Sequence, residues 1–248
     1  MTSTTASSTA SPDEIARFTA IADAWWDPVG DFAPLHRLNP LRLEFIRDHL
    51  CHHFDRDPMA AGPLTGLDII DIGCGGGILA EPMCRLGGSV TGIDAGQENI
   101  DIARHHAELS DLHITYRHQL PEDLGVDKDR YDVVLNMEVV EHVTDLDAFL
   151  AAAASLVKPG GVMVASTLNR TLKSLALAKV GAEYILRWVP AGTHDWKKFV
   201  RPSELAAGLE PCGVTVTDLK GMTYNPVTGD WSFSRDLDVN YLAFAVKA

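Results

Sequence analysis

Apolar positions recur at helical spacing over the first fifty residues and then, from position 67, in short unbroken runs separated by amphipathic stretches. Residues 12–21 read as an amphipathic helix, which Trp25-Trp26-Asp27-Pro28 interrupts. A loop through Pro34 and Pro40 leads into a second helix over 41–54, and a linker over 58–66 contains proline and glycine. Beyond it the runs over 68–72, 89–93, 113–117, 131–136 and 161–167 predict strands. Helices over 78–86, 97–109 and 145–157 fall between most of them. Such alternation builds right-handed crossovers and a mainly parallel, doubly wound α/β sheet. A long helical insertion over 168–205 follows the fifth strand, and 214–219 with 241–246 supply a terminal pair, making seven strands. No internal repeat is visible.

Composition narrows the class. With 248 residues, 46% of them hydrophobic, the chain can bury a large core, read here as one domain over 13–248 with a helical cap over 13–57. The Ser/Thr/Ala-rich stretch 1–12 is expected to be a disordered tail; lacking Lys and Arg before Arg17, it matches neither a secretory signal nor an Arg-rich transit peptide. A net charge of -13 argues against nucleic acid as partner, since a binder needs a basic face to displace counterions. Cys51, Cys74, Cys84 and Cys212 show no C-x-x-C spacing, which fits a reduced, cytoplasmic protein. Cys51-His52-His53 looks metal-binding, but adjacent helical residues face different ways, so a solvated helix end is the reading. No segment has the length and apolarity to span a bilayer.

The first strand runs into Asp71-Ile-Gly73-Cys74-Gly75-Gly76-Gly77. A strand that turns on glycines into a helix reads as a cofactor loop, because glycine admits positive φ and close approach of a ligand to the backbone; a merely tight turn is the alternative. The spacing misses G-x-G-x-x-G, and Asp71 is ill placed beside a phosphate dianion. A carboxylate there suits a cation such as the sulfonium and ammonium of S-adenosylmethionine. The block resembles the first motif of class I S-adenosylmethionine-dependent methyltransferases, whose fold is Rossmann-like. Asp94, ending the second strand, is placed to take ribose hydroxyls; that would serve NAD equally, and capping the next helix is the other reading.

Asn136-Met137-Glu138-Val-Val-Glu141-His142 ends the fourth strand. If a helix starts here, Glu138 meets Glu141 and His142 at i+3 and i+4. Like charges side by side call for protonation or for a divalent cation, Mg²⁺ on oxygen preference, with Zn²⁺ or Mn²⁺ allowed by the histidine. An exposed acidic first turn is the competing reading. Between Arg170 and Arg201 seven Lys/Arg, including Lys173, Lys179 and Arg187, face two acids, Glu183 and Asp195. Interleaved with Leu172, Leu175, Leu177, Tyr184, Trp188 and others, they describe a helix suited to an anionic membrane surface, or a core stripe with solvated bases.

Several blocks taken together carry a closer resemblance: Trp25-Trp26-Asp27, Pro34-Leu-His36-Arg37-Leu-Asn39-Pro40, Met137-Glu-Val-Val-Glu-His142, Leu156-Val-Lys-Pro-Gly-Gly161, Ser166-Thr-Leu-Asn169-Arg170, Gly192-Thr-His-Asp195 and Tyr224-Asn-Pro226. From about residue 15 to the C-terminus the chain resembles the ubiquinone-biosynthesis O-methyltransferases. That resemblance implies methylation of catechol-type hydroxyls on polyprenylated phenols and quinols, at two steps of the pathway. It implies donor contacts at Arg42, Gly73, Asp94 and Met137 and a divalent-metal set at Glu138, Glu141 and His142. Gly75 joins them through the loop, and Gln119 stands where many class I enzymes place an acid for the adenine amino group. His142, with Glu141 beside it, is the candidate catalytic base, a metal chelated by both ring oxygens the alternative, and His194 a weaker base. A lipid-tailed substrate further implies peripheral contact with the inner membrane and an assembly of pathway enzymes. Competing readings are a class I methyltransferase for another small molecule, a non-catalytic donor-binding component, and an NAD-dependent oxidoreductase.

Overall fold

The computed structural model describes residues 9–19, 22–30, 32–124, 130–177, 195–225 and 227–248. Its sheet has eight strands, β1 (Asp68–Ile72), β2 (Ser89–Asp94), β3 (Thr115–His118), β4 (Tyr131–Met137), β5 (Val157–Leu168), β6 (Val214–Tyr224), β7 (Trp231–Ser234) and β8 (Asn240–Lys247). Their order is β3-β2-β1-β4-β5-β8-β6-β7. The first five run parallel, and β8, inserted between β5 and β6, is antiparallel to both. The doubly wound α/β architecture is as expected, with one strand more. β7 escapes the sequence because Trp-Ser-Phe-Ser is a short, partly exposed edge strand with no apolar run.

Central strands are continuous apolar runs because both faces are covered. On β1, Ile69 packs into one core with α2 (Ala33–His53), α3 (Ala80–Arg85) and α4 (Gln97–Leu109), while Ile70 and Ile72 face the other core under α5 (Leu146–Ser155) and α7 (Pro202–Leu209). The predicted helix over 78–86 is shorter in the fold. Of the 168–205 insertion the structure describes a turn, α6 (Leu172–Ser174), that runs on as a π turn over 175–177, a 3-10 turn at Trp196–Lys198 and the start of α7. Lys179, Glu183, Tyr184, Arg187, Trp188 and His194 lie outside the described residues. No described helix is long and apolar enough to cross a membrane.

The N-terminal region departs most from expectation. α2 begins at Ala33 and carries Pro34 in its first turn and Pro40 inside, where a loop was predicted. Proline is tolerated in a first turn, and at Pro40 the lost backbone bond is offset by burial of Leu38, Phe45, Ile46 and Leu50 against the sheet. Residues 9–12 are not a loose tail: Thr9 is buried and donates from N to Glu122 Oε1 at 2.7 Å, Ala10 bridges Val143, and α1 (Pro12–Thr19) starts immediately after. Cys51 is buried at the end of α2 while His52 is exposed, as the helix-end reading requires.

Since Ile46 is fully buried between α2 and the sheet, Ile46→Ala is expected to lower unfolding free energy by about 2–5 kcal/mol. The fall should appear in urea titration as a lower midpoint with an unchanged slope.

Candidate active site

In an open α/β sheet ligands bind where successive crossovers leave in opposite directions, here between β1 and β4. A cavity of about 670 Å³ opens at that point. Arg42, Asp71, Gly73, Gly75, Asp94, Gln119, Met137, Glu138, Glu141 and His142 all line it, although they come from five separate stretches of chain. The strand ends deliver the acids, and α2 carries Arg42 over the top.

Asp71 is 2% exposed, and its Oδ2 has no hydrogen-bond partner. Burial first, then the neighbouring Asp94, pushes it up to about 7 against the pull of Arg42. A carboxylate so placed lacks a cation. Asp94 is better served: its Oδ2 accepts from Gly75 N at 3.0 Å, and its Oδ1 from Gly96 N at 2.7 Å and Asn99 Nδ2 at 3.0 Å. Burial still outweighs these bonds and raises its pKa. The N-cap of α4 is Gly96, so Asp94 is not the cap that one reading made it. Gln119 Oε1 is buried and unpartnered on the cavity, which suits an amino-group donor.

The glycine loop is tight for a reason the sequence did not suggest. Gly75 has φ +53°, and a Cβ there would come within 2.4 Å of Trp25 Cζ2. The close approach is made by an indole from the N-terminal region, where a ligand was expected.

Glu138 directly follows β4 in the left-handed region, φ 57°, a strained choice for glutamate of the kind that concentrates at functional sites. No helix starts here; α5 begins only at Leu146, capped by Asp145. The three side chains therefore do not share a helical face. Glu138 Oε1 accepts from Arg42 Nη2 at 2.6 Å and Ser166 Oγ at 2.7 Å, leaving the Arg42 Nε unpartnered. Glu141 is buried, takes Thr167 Oγ1 at 2.9 Å, and is held well above the usual carboxylate range by burial and then by Glu138. His142 Nδ1 stands 3.2 Å from Glu14 Oε2 on α1. Among the described residues no three His, Cys, Asp or Glu stand at metal-holding spacing. Glu14, Ser166 and Thr167 were invisible in sequence because each acts across a long chain separation, and Asn99 because the indole that fixes its amide comes from Trp25.

A switch-point cavity with a glycine loop and acids at the strand ends of a doubly wound sheet marks a class I S-adenosylmethionine-dependent methyltransferase, and the family model described as "Methyltransferase domain" matches residues 40–219. The chain is 56% identical over 239 residues to a ubiquinone biosynthesis O-methyltransferase of Paramagnetospirillum magneticum, covering 96% of each. It is 55% identical to one of Bartonella quintana, covering 95% of each. It belongs to the ubiquinone biosynthesis O-methyltransferase family. Magnesium protoporphyrin IX methyltransferase of Synechocystis, solved with bound S-adenosylhomocysteine, shares the fold at TM-score 0.65 and 20% identity, over 95% of this chain and 94% of that one.

The position of Asp71 has a consequence for stability. Its folded value of about 7 lies above its ordinary 3.8, so the folded state retains a proton the unfolded chain has lost. The contribution of Asp71 to stability is therefore fully present below about pH 4 and is lost as pH rises through about 7. Asp71→Asn is expected to stabilise the ligand-free protein at about pH 8, by up to about 4 kcal/mol, with the advantage gone near pH 4. Urea titrations at the two pH values check both sign and window.

Proposed function

We propose that the cavity binds S-adenosylmethionine against Asp71, Gly73, Gly75, Asp94, Gln119 and Met137 and methylates catechol-type hydroxyls of polyprenylated phenols and quinols in ubiquinone biosynthesis. The observation that carries this reading is the buried Asp71, whose Oδ2 has no partner, beside Asp94 on a cavity wall that elsewhere presents apolar residues such as Leu35, Leu38, Met222 and Trp231. Acid supplies one end with what a cationic donor needs. Apolar lining offers the other to a ring and a hydrocarbon tail.

The donor supplies an electrophilic methyl on a sulfonium sulfur. Charge is annihilated as a phenolate oxygen attacks it, so a site that excludes water favours the transition state over the separated ions. A catechol hydroxyl titrates near 10 and must be activated at neutral pH. His142 takes that proton: Glu14 at Nδ1 orients the imidazole and supports the charge it gains, leaving Nε2 as the basic atom. Glu141, buried between Thr167 and Glu138, has its carboxyl raised well above the usual carboxylate range by burial, which disfavours a second negative charge on the wall beside His142.

A divalent cation on Glu138, Glu141 and His142 is the second reading, favoured by the buried, unpartnered Oε1 of Glu141. The donor chemistry suits a hard ion, which would lower the catechol pKa. Holding one requires Glu138 to give up Arg42.

The substrate's lipid tail also supports docking at an anionic membrane surface, where the exposed Leu172 and Leu177 flank Lys173. Flotation with anionic vesicles is expected to fall with salt and with the combined change of Lys173, Lys179 and Arg187 to Glu. Unaltered flotation removes that surface from the reading.

Methyl transfer from labelled donor to a short-tailed catechol tests the chemistry. His142→Ala is expected to lower kcat about 10²–10⁴-fold, and Glu14→Gln to lower it less, with a shifted pH profile. Rates unchanged by chelator fit the histidine; loss restored by Mg²⁺ fits the cation. Rates indifferent to both treatments overturn both.

A further inference from the structure

Of two tryptophans that the mechanism leaves unused, Trp25 lines the donor end of the cavity and Trp26 lies behind it. Trp25 is 9% exposed, stacks on Phe32 at 3.8 Å and 8°, and lies over the glycine loop. Its Nε1 donates to Asn99 Oδ1 at 2.9 Å, while the Nδ2 of the same amide donates to Asp94 Oδ1 at 3.0 Å. Both ends of the Asn99 amide are thus specified, and the orientation of Asp94 is coupled to the presence of the indole. At Gly76 a Cβ would come within 2.5 Å of both Cβ and Cγ of Trp25, so the loop and the strap exclude any side chain between them.

Trp26 ties down the outer side. Its Nε1 donates to Gly76 O at 2.8 Å, and its ring stacks on His106 at 3.5 Å and 4°. His106 is held in that plane by Glu81, whose Oε1 is 2.6 Å from Nδ1 and whose Oε2 meets Arg85 at 3.4 Å. Glu81 is 2% exposed. A carboxylate is seldom buried so far without a specific partner, and here its partner is the histidine that carries Trp26.

We propose that Trp25 is a positioning residue of the donor site, which sets the glycine loop and, through Asn99, the carboxylate of Asp94. Trp26, His106 and Glu81 form the latch that holds it closed. The proposal rests on the cavity being the donor site. With the latch closed, the indole covers the loop to which a donor must bind; donor exchange therefore runs through release of the strap, and weakening the latch speeds departure of bound product.

Calorimetric titration of the full chain with S-adenosylhomocysteine tests this. Trp25→Ala and Gly76→Ala are each expected to raise Kd about tenfold, equivalent to about 1.4 kcal/mol. The double variant should fall well short of a hundredfold, since both changes release one strap. The acceptor KM should stay within about twofold. Trp25→Phe, which keeps a ring on Phe32 and removes the N–H to Asn99, gives the same direction if Trp25→Ala does not fold. His106→Gln, outside the cavity, should raise the dissociation rate several-fold in stopped-flow tryptophan fluorescence. Additive effects of the first two changes, or wild-type dissociation in His106→Gln, overturn the proposal. Failure of the wild-type chain to bind S-adenosylhomocysteine would instead overturn the donor-site reading beneath it.

Discussion

Everything at the functional end of this protein depends on one topological constraint: crossovers from β1 and β4 leave the sheet in opposite directions, so no connection can cover the crevice between their carboxyl ends. Parallel strands bring side chains there in register, Ile72 opposite Ile93 on one side and Asn136 on the other. Residues that immediately follow or end these strands must meet. The N-terminal helices then supply the roof the sheet cannot make, and with it Arg42, Glu14 and Trp25.

The electrostatics of that crevice are unfavourable when it is empty. Asp71, Asp94 and Glu141 are all raised by burial, whereas the neighbouring Glu138 has a strong cationic partner, Arg42 at 2.6 Å. Such an arrangement gives up stability for binding, since buried carboxylates lacking cations cost more than apolar packing would. Arg42 stands at the balance point. In the structure it neutralises Glu138, whereas the family resemblance puts it on the donor, and its unpartnered Nε is on hand for a second acceptor.

Much of the fold was legible, for a physical reason. β1 and β4 are buried on both faces, so their apolar runs are long enough to read, and Asp71 with its glycines stands where a strand must turn. β7 and the first half of α2 were not legible. One is an edge strand whose pattern is too short, and the other contains two prolines whose cost is met by packing against a distant sheet. The segment after β4 failed differently. Helical spacing made Glu138, Glu141 and His142 a single face, but Glu138 adopts a left-handed φ and the three go to Arg42, Thr167 and Glu14.

The sequence by itself determined the parallel strands, the donor class and the placing of Asp71, Gly73, Gly75, Asp94, Glu138, Glu141 and His142 on the cavity, because strand ends and glycine turns are local features written in consecutive residues, whereas Arg42 was expected there only through the family resemblance. Only the tertiary structure decided their partners. Glu14 beside His142, Trp25 on Asn99, and Ser166 under Glu138 are contacts between residues far apart in the chain. Hydrogen bonds and ion pairs act through distance in space, and no spacing in the chain encodes that distance until the sheet has closed and the helices have packed over it.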